Sequence, residues 1–492
     1  MDGHAMRFWK ATAVVLALVS CTMETASADL IRYVVPGTDL AVVLRGRYTV
    51  QAGGNATFTH PKLGRLYMSA GDVEHQRLAE PSDEYEKMIR RAKTAEAFVE
   101  AADYALHNGM VDEVYEAATE AVALDPNNAE AKAILDLRDL IRSTDLGDSE
   151  AEEAHLRQTV KIGRMKIATS AHYILLHDTP DAFDRELGRT KPRAQERLEL
   201  LEQVYESFLL KFHSKGVELE IPRQRLMVVL FNEEADYNRF ATSLSPSLAS
   251  AIGFYDPKSN IAFFYDHGSS DEFRLLSGIV DDLKAQGDRL GRANDPRARD
   301  AIRAAATIRL LIEIDRENSD IEVVSHECTH QMAGNTGLFP RDIMTPSWVH
   351  EGLATYFESP SEAAWSGIGA VNSERIPLYR ILAENDPEHA HVSFIVSDEI
   401  FDLAGNHISR VHGYCQAWGL THFMMERHFD ELMTYYRRLG ELPPDTPLSA
   451  DLLTALFDDV FSSDRESLNI EFHSYMRGLR TETEDAFSNG LR

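Results

Sequence analysis

The amino-acid sequence predicts an α+β fold, in which segments with strand character come first and helices follow. Residues 29–80 alternate apolar and polar side chains between turns that contain Gly or Pro, as half-buried strands do. Between residues 165 and 265, short apolar runs of strand length flank one long amphipathic helix. From about residue 272 onward, apolar residues recur mostly at helical spacing.

The composition predicts a globular protein, because 44% of the 492 residues are hydrophobic and 26% are charged. The net charge is −29, which argues against nucleic acids and anionic membranes as partners, since both require concentrated positive charge. We therefore expect neither nucleic acid nor an anionic membrane surface as a partner.

The amino terminus has the layout of a secretory signal over residues 1–28. A basic flank precedes the apolar run 11–19, which is too short to span a bilayer as a mature helix. Two cleavage sites are compatible with it. Residues 18–21 (LVSC) look like a lipobox, which would make Cys21 the lipid-bearing first residue, whereas residues 26–28 (ASA) fit ordinary signal-peptidase cleavage. We expect an exported protein that is located in the periplasm or cell envelope, with or without a lipid anchor at Cys21, or that is secreted.

Two short regions precede the main domain. Residues 29–80 are predicted to form a small β module, barrel-like or built of hairpins. Residues 81–150 are predicted to form helices and a linker, with the acidic segment 143–154 as the best linker candidate. Part of this region resembles one tetratricopeptide repeat, and a plain helical hairpin is the alternative. It could bind a protein partner. The positions that match the repeat are Phe98, Ala102, Ala121 and Pro126.

The main domain is predicted to occupy residues 160–480. Its first half should contain strands in the segments SAHYILLHD and RLMVVLFN, then a hairpin around Asp256 and Pro257. Ile261 to Tyr265 could be an edge strand along which an extended peptide lies, and a core strand is the alternative.

The segment HECTH carries the strongest functional signal. Residues 319–333 are predicted to be helical, with Gly334 and Asn335 as the C-cap. His326 and His330 are then four residues apart on one face, where both imidazoles can reach one metal ion. Glu327 lies about 100° around the helix, offset from the metal but near enough to reach a water on it. The alternative is an amphipathic helix with two partly exposed histidines.

A third ligand is required for a catalytic zinc site. A third His six residues after His330 is excluded, because Thr336 stands there. Glu351 is the other option, since it lies mid-helix in the segment MTPSWVHEGLATYFESP, with Thr345 as N-cap and Pro346 at the first position. A buried acid among apolar neighbours is costly unless it is paired. The alternative is a surface Glu or one that pairs with an Arg.

His-Glu-x-x-His followed by Trp348, Glu351, Gly352, Ala354 and Tyr356 resembles the gluzincin metallopeptidases. Over residues 165–480 the sequence is also similar to a bacterial family of peptidase-MA-like proteins of unknown function. The resemblance implies a zincin-like catalytic domain with one Zn²⁺ per chain. It implies that His326, His330 and Glu351 are the ligands and that Glu327 is the general base. The resemblance also implies a peptide or protein substrate. The Gly-x-Met-Glu-Asn segment of related aminopeptidases is absent, which favours endopeptidase action.

Gluzincins also use a Tyr or His, further along the chain, to stabilise the oxyanion. Tyr414 is the candidate here and His412 is its rival, although a Tyr on an amphipathic helix is often structural. His350, beside Glu351, is expected in the second shell or at the surface. Two other functions stay open: a zinc-bearing envelope protein that binds a partner without catalysis, and a zinc amidase that acts on cell-wall peptide.

Three cysteines do not make a disulfide scaffold. Cys328 and Cys415 could pair in an oxidising compartment, and two buried free thiols are the alternative.

Overall fold

The structure is a computed structural model that describes residues 28–36, 41–182, 190–358, 360–361, 363–402, 407–461 and 464–487. It is an α+β chain, as predicted, with strands early and helices late. Nearly all of the expected signal segment, including Cys21, lies outside these residues. Among the helices of the described ranges, none is both long and apolar enough to span a bilayer.

The amino-terminal β module is an antiparallel five-stranded sheet with the order β4-β3-β2-β1-β5. Strand β2 pairs with β1 through its first half and with β3 from Arg47 onward. Gly46 lies where the partner strand of β2 changes. A side chain does not fit at this position, because a Cβ there would meet the ring of Phe58 and the carbonyl of Thr59. The strands are Ala28–Val34 (β1), Ala41–Val50 (β2), Asn55–Thr59 (β3), Arg65–Ser69 (β4) and Val73–Leu78 (β5).

Five helices follow the β module. Residues 144–149 are all that remains outside helices in the segment expected to be a linker. Phe98, Ala102 and Ala121, which match the tetratricopeptide pattern, are all buried. Their hydrophobic core is continuous with that of the domain that follows, so these helices are not a separate body. The helices are Pro81–Arg91 (α1), Ala95–His107 (α2), Val111–Leu124 (α3), Ala129–Ser143 (α4) and Glu150–Val160 (α5).

A second sheet of five strands, with the order β6-β7-β8-β10-β9, is the centre of the main domain. Strands β7, β8 and β10 are parallel, whereas β6 and β9 pair antiparallel at the two edges. The elements of this part are Lys166–Thr169 (β6), Tyr173–His177 (β7), Arg193–His213 (α6), Leu226–Phe231 (β8), Glu234–Leu244 (α7), Gly253–Asp256 (β9) and Ile261–Tyr265 (β10).

The prediction that Ile261–Tyr265 is an edge strand is wrong. This strand pairs on both sides and all five residues are buried. An uninterrupted apolar run is typical of a strand that is covered on both faces. The edge strand is β9, the other arm of the predicted hairpin.

Helices make up most of the chain after β10. The long helix that carries the HECTH segment ends at Asn335, and Gly337 supplies the positive φ at its end, so Gly334 is inside the helix. The elements are Asp271–Arg292 (α8), Ala298–Asn335 (α9), Ser347–Phe357 (α10), Pro360–Ser361 (β11), Ala364–Trp365 (β12), Arg375–Asn385 (α11), Val392–Val396 (α12), Glu399–Asp402 (α13), His407–Arg427 (α14), Phe429–Gly440 (α15), Ala450–Phe461 (α16), Arg465–Gly478 (α17) and Glu482–Phe487 (α18).

The second sheet is the middle layer of three. Alternate side chains of its strands contribute to the main core, which includes residues of α6 and of the second half of α9, whereas the others form a separate core with α5 and α7. The β module packs on the first half of α9, around Ala304, Leu310 and Ile314. Ile314 is twelve residues before His326, which corresponds to about 18 Å along the helix.

Candidate metal centre

The second half of α9 is anchored to the sheet by the helix face opposite the histidines. The side-chain amide of Gln331 donates to the carbonyls of Met227 at 3.0 Å and Asn260 at 3.2 Å. The sulfur of Cys328 lies 2.8 Å from the hydroxyl of Tyr173. Cys328 and Cys415 are both free and buried, so the free-thiol alternative is confirmed. These contacts hold the register of the two histidines against the sheet.

His326 and His330 present their Nε2 atoms to the same carboxylate oxygen. The imidazole rings are 4.7 Å apart and nearly perpendicular. Oε2 of Glu351 lies 3.0 Å from Nε2 of His326 and 3.7 Å from Nε2 of His330. The structure thus brings together the three residues that the sequence predicted as ligands.

Helix α10 holds Glu351 in place through a cap and a close helix contact. Its first N–H groups, at Ser347 and Trp348, donate to the carboxylate of Asp398 at 2.7 and 2.8 Å. The predicted cap by Thr345 is therefore wrong, because a distant acid supplies the acceptor. Gly352 is required for the approach of α14, since a Cβ there would lie 2.2 Å from the hydroxyl oxygen of Thr421.

Glu358 is a site residue that the sequence reasoning missed. Its Oε2 lies 2.8 Å from Nδ1 of His326, and its other oxygen pairs with the guanidinium of Arg375. Arg375 in turn reaches Glu322 at 3.2 Å. A signal existed, because Glu358 follows Glu351 by seven residues, two helical turns, near the end of the same helix.

Burial and hydrogen bonding act differently on the three predicted ligands. Burial alone would lower the pKa of His326, but its hydrogen bonds to Glu351 and Glu358 raise it well above the usual value. Burial and the nearby His350 lower the pKa of His330 to about 3. Burial raises the pKa of Glu351, but the histidines around it outweigh this and hold the pKa well below the usual range. Glu351 is therefore an anion between two imidazole nitrogens.

Glu327 lies close to the ligands and also contacts the edge strand of the second sheet. Burial raises the pKa of its carboxyl to about 7, and the neighbouring Glu351 contributes in the same direction. A hydrogen bond from the backbone N–H of Tyr255, in the edge strand β9, opposes this rise. The contact with β9 was not predicted, because the sequence reasoning assigned the edge to the wrong arm of the hairpin.

Tyr414 and His350 lie beside the ligands, whereas His412 acts elsewhere. The ring of Tyr414 is 6.4 Å from that of His326, and the guanidinium of Arg375 lies 5.9 Å from the ring centroid of Tyr414. His350 stacks on His330 at 3.7 Å with nearly parallel rings, and its side chain is 38% exposed. His412 lies near Asp386, whose pKa is lowered mainly by a hydrogen bond with His389 and least by His412.

The donor atoms suit a metal ion. The chosen atoms of His326, His330 and Glu351 all lie within 4.8 Å of one another. Two imidazole nitrogens and one carboxylate oxygen are a donor set that catalytic zinc sites use, with a fourth position left open. The hydrogen bond from His326 Nδ1 to Glu358 fixes the tautomer and leaves Nε2 for a metal, as carboxylates behind metal-ligating histidines do.

A family model described as "Protein of unknown function (DUF1570)" matches residues 320–445. The matched segment contains the three candidate ligands together with Glu358, Arg375 and Tyr414. No curated protein and no solved structure matches the chain.

Proposed function

We propose that this chain is a zinc-dependent metallopeptidase of gluzincin type, with one Zn²⁺ per chain, that cleaves internal peptide bonds of a protein substrate outside the cytoplasm. The observation that carries the proposal is the convergence of the His326 and His330 Nε2 atoms on one oxygen of Glu351, with the half-buried Glu327 beside them.

The charges around the ligands favour a cation at this position. Four carboxylates surround the two histidines, and Arg375 is the guanidinium that pairs with two of them. Buried carboxylates are costly without a compensating positive charge. The acids are Glu322, Glu327, Glu351 and Glu358.

Glu327 is assigned the role of general base. When bound, zinc supplies a Lewis acid and lowers the pKa of a coordinated water. With its own pKa near 7, Glu327 can accept a proton from the attacking water and return it to the leaving amine. The N–H of Tyr255, in the edge strand β9, donates to this carboxylate and fixes its position.

The edge strand β9 is the proposed binding surface for an extended peptide. The N–H of Tyr255 points away from the partner strand β10, so the N–H and carbonyl groups at alternate residues of β9 face outward. An added strand can pair with such an edge. Gly253 is needed for this placement, because a Cβ there would lie 2.4 Å from a methyl group of Val323 on α9.

Tyr414 is the proposed donor to the oxyanion. It approaches the ligand His326 from α14, and Arg375 beside it limits its positions. A phenol donor placed there stabilises negative charge that develops on the substrate carbonyl. Export from the cytoplasm, and lipid attachment at Cys21, remain predictions from the sequence.

The test combines metal analysis with peptide cleavage in the wild type and in Glu327→Gln. We expect about one zinc per chain in both proteins, and turnover that falls by about 10²–10⁴-fold in the variant, as loss of a general base does. Cleavage would be followed by mass spectrometry on a denatured protein mixture. Equal turnover in both proteins would refute the role of Glu327, and absence of zinc from both would refute the metal site.

A further inference from the structure

A cavity of about 800 Å³, separate from the metal centre, lies between α11 and α17. Helix α11 also carries Arg375 of the metal centre, and the cavity begins at Tyr379, about one turn further along. The volume is within the range of pockets that hold small ligands or short peptide segments.

The cavity has an apolar floor and one exposed apolar residue on its wall. Tyr379 and Met476 are buried beneath it, and the side chain of Ala383 contributes to its α11 wall. Ile470 on α17 is 60% exposed, which places an apolar surface next to the opening. An apolar side chain of a ligand would remove this surface from water.

The rim is more basic than the chain as a whole. Arg380 is paired with Glu484 and with the carbonyl of Leu479. Arg477 and Arg480 also line the cavity, and neither forms an ion pair with an acid of the described residues. The other acid of the lining, Glu384, is exposed. Arg480 acts electrostatically on Glu484, and the lining as a whole holds three arginines and two acids in a protein whose net charge is −29.

His473 reports the same positive environment. Its Nδ1 lies 2.8 Å from the hydroxyl of Tyr379, at the floor of the cavity. Burial lowers the pKa of His473, and the positive charges of Arg477 and His391 lower it further. No carboxylate is among the groups that act on this imidazole in the described part of the chain. A carboxylate that entered the cavity would therefore meet cationic and neutral donors.

We propose that this cavity binds an acidic peptide segment that also carries an apolar side chain. The carboxylates would pair with Arg477 and Arg480, and the apolar side chain would cover Ile470 and the floor. Charge complementarity selects this occupant, because arginines outnumber acids in the lining while the chain as a whole carries a net charge of −29. The proposal concerns binding alone and does not depend on the metal centre.

The test measures binding of a fluorescein-labelled peptide of alternating Glu and Leu by fluorescence anisotropy. The protein is the Glu327→Gln chain, so that the probe is not cleaved, and it is measured with and without zinc. We expect saturable binding that weakens about tenfold or more when Arg477→Gln and Arg480→Gln are combined. The matched control combines Arg437→Gln and Arg438→Gln, two exposed arginines on α15, and should bind like the parent.

Two further peptides and one spectroscopic measurement decide the outcome. Peptides with Gln for Glu, or Ser for Leu, should each bind more weakly than the probe. In protein labelled with ¹³C-histidine, the peptide should raise the pKa of His473. The proposal would be overturned by equal binding of the probe to the double variant of Arg477 and Arg480 and to the control. It would also be overturned by no binding of the probe at all, or by an unchanged pKa of His473. Since the metal is not needed, these failures are distinct from a failure of the peptidase assignment.

Discussion

Two groups of buried charges lie along the same helix α9, about 9 Å apart, and they differ in how their charges are balanced. In the first, which we call the ion-pair cluster, three arginines pair with all five carboxylates of the group. In the second, the metal centre, one arginine pairs with two of four carboxylates. The members of the ion-pair cluster are Arg193, Arg197, Arg316, Glu196, Asp266, Glu313, Glu317 and Asp320.

The ion-pair cluster is closed within the protein. Asp320 accepts from Arg193 and Arg197 at 2.6 Å each, and from the Nδ1 and backbone N–H of His267 at 2.7 and 3.2 Å. Only 2% of this residue is exposed. At the metal centre, by contrast, the two Nε2 atoms converge on one oxygen of Glu351, and no arginine or lysine of the described residues forms an ion pair with this carboxylate. Burial of charge alone therefore does not indicate a ligand site. Donor atoms that converge on one point without an arginine or lysine partner do.

The largest effect is expected from Glu351→Ala. Removal of the third ligand should abolish stable zinc binding and peptide cleavage, because two histidines leave the coordination incomplete. Metal content is measured by mass spectrometry after gel filtration, and zinc should raise the melting temperature of the wild type but not of the variant. A variant that retains about one zinc would show that Glu351 is not a required ligand.

Asp320→Asn tests the closed cluster in the same helix. We expect the free energy of unfolding to fall by about 3–5 kcal/mol, since the loss of one partner leaves buried arginines short of a counter-charge. Zinc content per folded chain should not change. Urea unfolding measures the loss, with the exposed Asp300→Asn as the control, which should stay within about 0.5 kcal/mol of the wild type. An undisturbed stability would show that the cluster is not needed for folding.

Glu358→Gln tests a residue that shares features of both groups, because Glu358 contacts His326 of the metal centre and also pairs with Arg375. We expect zinc affinity to fall about 10–100-fold, as for other partners behind metal-ligating histidines. Competition with a chromogenic chelator measures the affinity, and the exposed Glu374→Gln is the control. If Glu358→Gln reduces stability but leaves zinc affinity intact, Glu358 is structural only.

A smaller effect is expected from acid, which should lower the free energy of unfolding through the ion-pair cluster. Burial raises the pKa of Asp266, but Arg193 and Arg316 outweigh it and lower the pKa to about 2. A carboxyl with a depressed pKa stabilises the fold above its ordinary pKa of about 4, and this contribution is lost as the pH falls toward 2. We expect a loss on the order of 2 kcal/mol in the wild type and a flatter dependence in Asp266→Asn. Urea unfolding between pH 5 and 2.5 measures both, and parallel curves would contradict the assignment. A chelator should leave the curves unchanged.

Much of the candidate site could be predicted because its signals are local. His326 and His330 follow from helical spacing, and Glu351 from a single acid at mid-helix among apolar residues, although the predicted cap at Thr345 was wrong. The strands and long helix before them follow from apolar periodicity, but the all-apolar run Ile261–Tyr265 left both an edge and a core position open.

The residues that were missed depend on contacts between distant segments. Arg375 reaches Glu358 across seventeen residues, and the N–H of Tyr255 reaches Glu327 across seventy-two. Asp398 caps α10 from fifty residues away. No periodicity or motif carries such pairings, because they arise when separate elements pack.

Which side chains could bind a metal was readable from the chain alone, since their spacing along two helices follows from 3.6 residues per turn. The α+β class was readable in the same way, because the strand and helix periods are properties of the chain. Only the tertiary structure decided which carboxylates stand behind the histidines, which strand forms the edge beside Glu327, and which buried charges are already neutralised. Those outcomes depend on the packing of α9 between the sheet, α10 and α14, where burial makes each missing or present partner decisive.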